Sequence, residues 1–151
     1  MMFRTHLVFG FLFGLLVSSI FNVGNIYLFM LFVLFAAGLP DIDHPKSKYG
    51  RRLGIISKAI NLVAGHRGIF HSLLFALLFG IAFWYFNKTI GLGIFIGYLS
   101  HLIGDGLSRE GVNLLYPFSK LEIRGFFRVG SFIEHILFFI LLGLSLFLVI
   151  F

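Results

Sequence analysis

The chain has no cysteine, which removes disulfides and thiolate metal sites. Charge is nearly as scarce. Asp, Glu, Lys and Arg make up 12% of the 151 residues against 59% hydrophobic, and the mean hydropathy is +1.02. That balance cannot clothe a soluble core in a polar skin, so it excludes an ordinary water-soluble domain. No acidic or basic tail, internal repeat or low-complexity linker interrupts the chain, and residues 1–151 read as one membrane-embedded domain. Catalytic blocks are missing too. The H-E-x-x-H of a zinc protease does not occur. Neither do the Lys-x6-Arg-Pro and Pro-Ser-Gly-His blocks of lipid phosphatases with a histidine nucleophile.

What is present is apolar and segmented. Five stretches stand out: Leu7–Phe21, Ile26–Leu39, Ile69–Phe86, Ile90–Leu107 and Phe132–Phe151. The last three approach the roughly 20 residues that a spanning helix needs, while the first two are short. The expected fold is therefore all-α: a polytopic membrane helix bundle of about five segments. The 22 Phe suit a lipid-facing surface, and the 18 Gly let helices approach closely. Met1–Ile20 reads as an uncleaved anchor rather than a signal peptide, because Val17-Ser18-Ser19 makes a poor cleavage site.

The net charge of +6 suggests nucleic acid at first, but its distribution points to topology and to membrane lipids as partners. With the N-terminus in the cytoplasm, Arg4 lies inside. So do Lys46, Lys48, Arg51, Arg52, Lys58 and Arg67 of the second connection, and Arg109, Lys120, Arg124 and Arg128 of the last. Lys88 alone lies outside. The eleven-to-one partition predicts an inner-membrane protein with its N-terminus in and its C-terminus out.

Residues able to bind metal fall at the same ends of the spans: His6, Asp41, Asp43, His44, His66, His71, His101, Asp105, Glu134 and His135. Ionisable groups near hydrocarbon are costly and mark function. Imidazoles with carboxylates form the ligand set of Zn, Mn and Fe hydrolytic centres. Gly93, Gly97, His101 and Asp105 are each four apart and form one helical stripe; His6, Gly10 and Gly14 repeat the device. Leu39-Pro40-Asp41-Ile42-Asp43-His44-Pro45 reads as an extended segment whose two carboxylates project the same way. The five-residue spacing of His66 and His71 places His66 in a loop and His71 in the first turn of a helix. Arg67 between them suits an anionic substrate. Glu134 and His135 are adjacent and point about 100° apart, and Glu134 is the one expected to face the site. Residues Leu53–Val63 show apolar positions at helical spacing opposite Lys58 and Asn61, as in an amphipathic helix lying in the membrane interface.

Taken together, LPDIDHP, HRGIFHS and GYLSHLIGDGLSREGVNLLYPF, after an N-terminal Thr-His, resemble the YdjM-like family of predicted membrane-bound metal-dependent hydrolases. That family is similar to zinc-dependent phospholipase C and P1-type nucleases, in which His and Asp bind zinc ions. The resemblance implies His6, Asp41, Asp43, His66, His71, His101 and Asp105 as ligands. It supplies a reaction class more than a substrate.

The expected activity is hydrolysis of a phosphoester, a lipid headgroup included, at the cytoplasmic face. It would use two or more divalent ions, Zn first and Mn or Fe as alternatives. Glu134 joins the ligands on this reading, Asp43 or Glu134 takes the proton of the attacking water, and Arg67 and Arg109 hold phosphate oxygens. The rivals are a metal-dependent transferase using Asp41 and Asp43, and a non-enzymatic metal-binding or transport protein. A transporter wants polar groups at the midplane, where these spans are apolar.

Overall fold

The computed structural model describes residues 1–64 and 67–151. Among them the chain is helical, with no strand and two isolated β-bridges, Ser108 to Phe127 and Val112 to Ile123. The helices are α1 (Phe3–Ile20), α2 (Ile26–Ala36), α3 (Lys48–Leu53), α4 (Ile55–Ala64), α5 (Leu73–Phe86), α6 (Lys88–Leu107) and α7 (Phe132–Ile150). Two 3-10 turns, Leu39–Asp43 and Ile69–His71, follow α2 and precede α5.

Among the described residues, four helical stretches are long and apolar enough to cross a membrane: Phe3–Ile20, Ile26–Asp43, Lys88–Leu107 and Phe132–Ile150. Helix α5 is a shorter apolar helix of 14 residues. The first two spans are thus longer than their apolar runs suggest, because α1 starts at Phe3 and α2 runs on through a 3-10 turn. Pro40 sits at the start of that turn, where its missing N–H costs nothing. The third span is shorter than expected, since Ile69–His71 leave the helix and Ser72 caps its true start by accepting from the Phe75 N–H. Asn25, Asn87 and Ser131 cap α2, α6 and α7 in the same way. The amphipathic stretch Leu53–Val63 is not one helix. Gly54, at φ +56°, separates α3 from α4, a conformation that glycine adopts at no steric cost.

Helix α6 is the centre, packed on α5, α2 and α1, and α1 also meets α7. A Cβ at Gly93 would stand 2.7 Å from the Phe29 carbonyl oxygen, and one at Gly97 would stand 2.2 Å from that of Val33. These positions therefore let two backbones touch. Gly93, Gly97 and His101 meet Phe29, Val33 and Ala37, four residues apart on each helix. The glycine stripe sets the register that carries His101 to the end of α2.

Candidate metal centre

Each site residue is placed by a local feature of the chain. At the end of the stripe, His101 Nδ1 lies 2.8 Å from the Ala37 carbonyl oxygen. A carbonyl only accepts, so Nδ1 carries a proton, and in the neutral ring Nε2 presents a lone pair. His71 is fixed by the turn before α5, where the Tyr98 hydroxyl donates to the Phe70 carbonyl. Its Nδ1 lies 2.8 Å from Asp43 Oδ2, which also accepts from the Arg67 N–H at 3.2 Å. A carboxylate holding Nδ1–H turns Nε2 into a donor of electrons, the usual arrangement behind a metal-binding imidazole.

The two Nε2 atoms converge on carboxylate oxygens. His71 Nε2 is 3.9 Å from Asp41 Oδ1 and 3.7 Å from Asp105 Oδ2. His101 Nε2 is 3.9 Å and 3.6 Å from the same two atoms. A tetrahedral ion with bonds of about 2.0–2.2 Å holds its donor atoms about 3.3–3.6 Å apart, and each of these four nitrogen–oxygen separations lies within a few tenths of an ångström of that range. Lone pairs of neutral imidazoles and carboxylates repel one another unless a cation or proton is shared among them. The donor set therefore fits a divalent ion.

The other oxygen of Asp105 faces a different group. Oδ1 lies 2.6 Å from the Met1 ammonium and 3.3 Å from His6 Nε2. The His6 ring stacks on His101 with centroids 3.8 Å apart. Among the described residues two donor groups could hold a metal ion: His6, His101 and Asp105, all buried, and Asp41, His71 and His101. They share His101, whose Nδ1 is committed to Ala37, so they form one continuous centre rather than two separate sites.

A cavity of about 350 Å³ opens onto this centre, lined by Asp41 and Asp105 together with Arg67, His44, Ser47, Lys48 and Glu110. Arg67 Nη2 is 3.3 Å from Asp105 Oδ2, while its buried Nε has no hydrogen-bond partner among the described residues. Lys48 Nζ lies 4.7 Å from the centre of the Phe3 ring. Nearby, outside the spans, the Tyr49 hydroxyl donates to the Phe35 carbonyl. Burial pushes this phenol up and Arg52 pulls the other way.

The structure brings His6, Asp41, His71, His101, Asp105 and Arg67 together. Three other candidates, Asp43, Glu134 and Arg109, have their own partners. The segment around Asp41 and Asp43 is a 3-10 turn rather than extended chain, and its two carboxylates flank His71 from opposite ring nitrogens. Asp43 is thus engaged with Nδ1 and does not line the cavity. Glu134 is buried and belongs to neither group of donors able to hold a metal; it accepts from the Met2 N–H at 2.6 Å and the Gly130 N–H at 2.7 Å and so ties the start of α1 to α7. Arg109 donates from Nε to the Phe126 carbonyl and is exposed, leaving its neighbour Glu110 at the cavity. His135 Nδ1 bonds within its own turn, to the Ser131 carbonyl. His66 lies outside the described residues. The GVNLLYPF block proves structural: the Leu114 carbonyl accepts the Leu73 N–H and so fastens the last connection to the start of α5. His44 of LPDIDHP lines the cavity, as do Ser47 and Lys48, which have no motif of their own; their nearness to Asp41 in sequence is the available signal.

The chain matches the family described as YdjM inner membrane protein over residues 1–150, and it belongs to that family. It is 41% identical over 111 residues to the uncharacterized protein YvsG of Bacillus subtilis (strain 168), covering 72% of this chain and 68% of that one. It is 49% identical over 86 residues to the inner membrane protein YdjM of Escherichia coli (strain K12), covering 52% of this chain and 44% of that one. The same values hold for YdjM of Shigella flexneri. The chain thus spans less than half the length of the two YdjM proteins it matches. No solved structure matches it.

Proposed function

We propose that this YdjM-family chain is a membrane-bound, metal-dependent hydrolase acting on a phosphoester at the cytoplasmic end of its helix bundle. The observation that carries this reading is the quartet of Asp41, His71, His101 and Asp105. Each of the two Nε2 atoms lies 3.6–3.9 Å from Asp41 Oδ1 and Asp105 Oδ2, and each Nδ1 has an acceptor 2.8 Å behind it that favours the metal-binding tautomer. These four residues would hold one ion, zinc by preference, since two nitrogens and two oxygens suit it. His6 and the second oxygen of Asp105 would contribute to another, with Asp105 shared between them. Such ions supply Lewis acidity, which makes water a competent nucleophile near neutral pH and offsets charge developing on phosphate.

The remaining roles belong to the chain itself. Asp43 holds the Nδ1 proton of His71 and is a positioning residue rather than the acceptor of the water's proton. Glu134 anchors the start of α1 rather than joining the chemistry. Arg67 and Lys48, which both line the cavity, bind the anionic group. The eleven-to-one partition of basic residues supports a cytoplasmic site and an outside C-terminus.

Metal analysis of purified protein, joined to a turnover screen over phosphoesters, lipids and peptides, tests this reading. The parent should carry bound zinc and show metal-dependent phosphoester cleavage. His101→Ala and Asp105→Ala should each lose metal and turnover while keeping helical content. Full metal occupancy in both variants, or a metal-free parent after zinc loading, would reject the reading.

A further inference from the structure

Helices at the surface of soluble proteins turn their apolar side inward. Helix α4 does the reverse. Its polar residues face the protein: the buried Ser57 hydroxyl donates to the Ile42 carbonyl at 2.7 Å, and Asn61 Nδ2 donates to the Asp43 carbonyl at 2.7 Å. Its apolar residues face out, with Ile55 83%, Ile56 60%, Leu62 88% and Val63 88% exposed. Lys58 lies exposed at the edge between the two faces.

Charge selects what covers that face. From Lys46 to Val63 there are five basic residues and no acidic one. A second copy of the chain would bring like charges together around a two-fold contact, whereas an anionic lipid surface complements them. Position agrees. The segment follows the span that ends at Asp43 and precedes α5 at Leu73, so both of its ends are tied near the level of the bilayer boundary.

We propose that α4 docks into an anionic leaflet through Ile55, Ile56, Leu62 and Val63, and that this docking clamps the Asp41–Asp43 turn through Ser57 and Asn61. The lipid surface then becomes a structural partner of the site. Both clamping bonds end on the backbone carbonyls of Ile42 and Asp43, so a displacement of α4 reaches the carboxylates that flank His71.

The absence of cysteine allows single nitroxide labels without background. Full-length Leu62→Cys and Lys58→Cys, labelled and placed in nanodiscs of phosphatidylcholine with or without phosphatidylglycerol, report depth by collision with oxygen or a water-soluble nickel chelate. Leu62 should favour oxygen and Lys58 nickel, most clearly with phosphatidylglycerol present. Hydrogen exchange of the turn amides should slow on the order of tenfold when phosphatidylglycerol is added. That protection should vanish in a Leu62→Ser, Val63→Ser double variant. Equal nickel access at both labels, or spin–spin broadening at Leu62 from a neighbouring copy, overturns the docking. Turn exchange indifferent to both lipid and substitution overturns the clamp. Neither readout uses metal or turnover, so these outcomes are separate from the fate of the hydrolase reading.

Discussion

Gly97→Ala tests whether the packing of two helices, remote from any ligand atom, sets the metal centre. The added methyl would stand 2.2 Å from the Val33 carbonyl oxygen and 2.9 Å from its carbon, both backbone atoms of α2 that no side-chain rotation can move. Ordinary contact requires α2 and α6 to separate locally by about 1 Å. One turn further along, the 2.8 Å bond from His101 Nδ1 to Ala37 then stretches to about 4 Å and is lost. Overpacking of this kind costs about 1–3 kcal/mol, and the hydrogen bond about 1 kcal/mol more. Helical content survives, but the His101 ring no longer has its tautomer or angle fixed. Losing such a support typically weakens metal binding by about 10–100-fold.

The assay is zinc competition against a chelator of known affinity in detergent, with thermal unfolding followed by circular dichroism on the same samples. Gly93→Ala is the comparison. Its methyl would stand 2.7 Å from the Phe29 carbonyl oxygen, so it strains the same interface two turns from His101. Both variants should unfold earlier, and Gly97→Ala alone should lose most of the affinity. Unchanged zinc affinity in Gly97→Ala despite a lower unfolding temperature would refute the transmission argument. Equal losses in both variants would show that general loosening, not the His101 bond, is responsible.

Other outcomes follow from single contacts. Asp43→Asn keeps an oxygen that accepts from His71 Nδ1 but removes the charge, so zinc affinity should fall about tenfold, and Asp43→Leu should fall further. Arg67→Lys should lose substantial phosphoester activity at unchanged metal content, because a single ammonium cannot reproduce the guanidinium fork. Arg51→Lys, which is exposed and outside the cavity lining, should change little. Reporter fusions after Lys48 and Lys120 should both read cytoplasmic, and opposite readings would sink the one-sided placement of the site.

The parts of this site that were legible in the sequence are those fixed by spacing along one helix. Gly93, Gly97, His101 and Asp105 share a face because a helix puts them there, and burial of all four follows once that face meets α2. Spacing says nothing about the register between helices, so the Ala37 carbonyl that fixes the tautomer of His101 leaves no mark on the sequence. Short turns were misread for a related reason. Asp41-Ile42-Asp43 obeys the same spacing in an extended strand as in a 3-10 turn, yet the turn sends Asp41 to one side of the His71 ring and Asp43 to the other. The partners of Glu134 are not legible either, because a buried carboxylate at a helix start can be satisfied by backbone N–H groups alone, here those of Met2 and Gly130.

That contrast separates two kinds of buried acid in this chain. Both Glu134 oxygens have an N–H donor, and such a carboxylate is complete without an ion. Asp41 Oδ1 and Asp105 Oδ2 instead face imidazole Nε2 atoms whose rings hold their acceptors, Ala37 and Asp43, on the far side, with Arg67 Nη2 also 3.3 Å from Asp105 Oδ2. An oxygen opposed to a lone pair gains from a shared cation what Glu134 already gains from the backbone. Substitution should expose the difference. Glu134→Gln, which still offers one acceptor, should lower thermal stability while leaving zinc affinity near that of the parent, whereas Asp105→Asn should abolish tight zinc binding. A large loss of zinc affinity in Glu134→Gln, at unchanged stability, would return that residue to the metal centre and break the distinction.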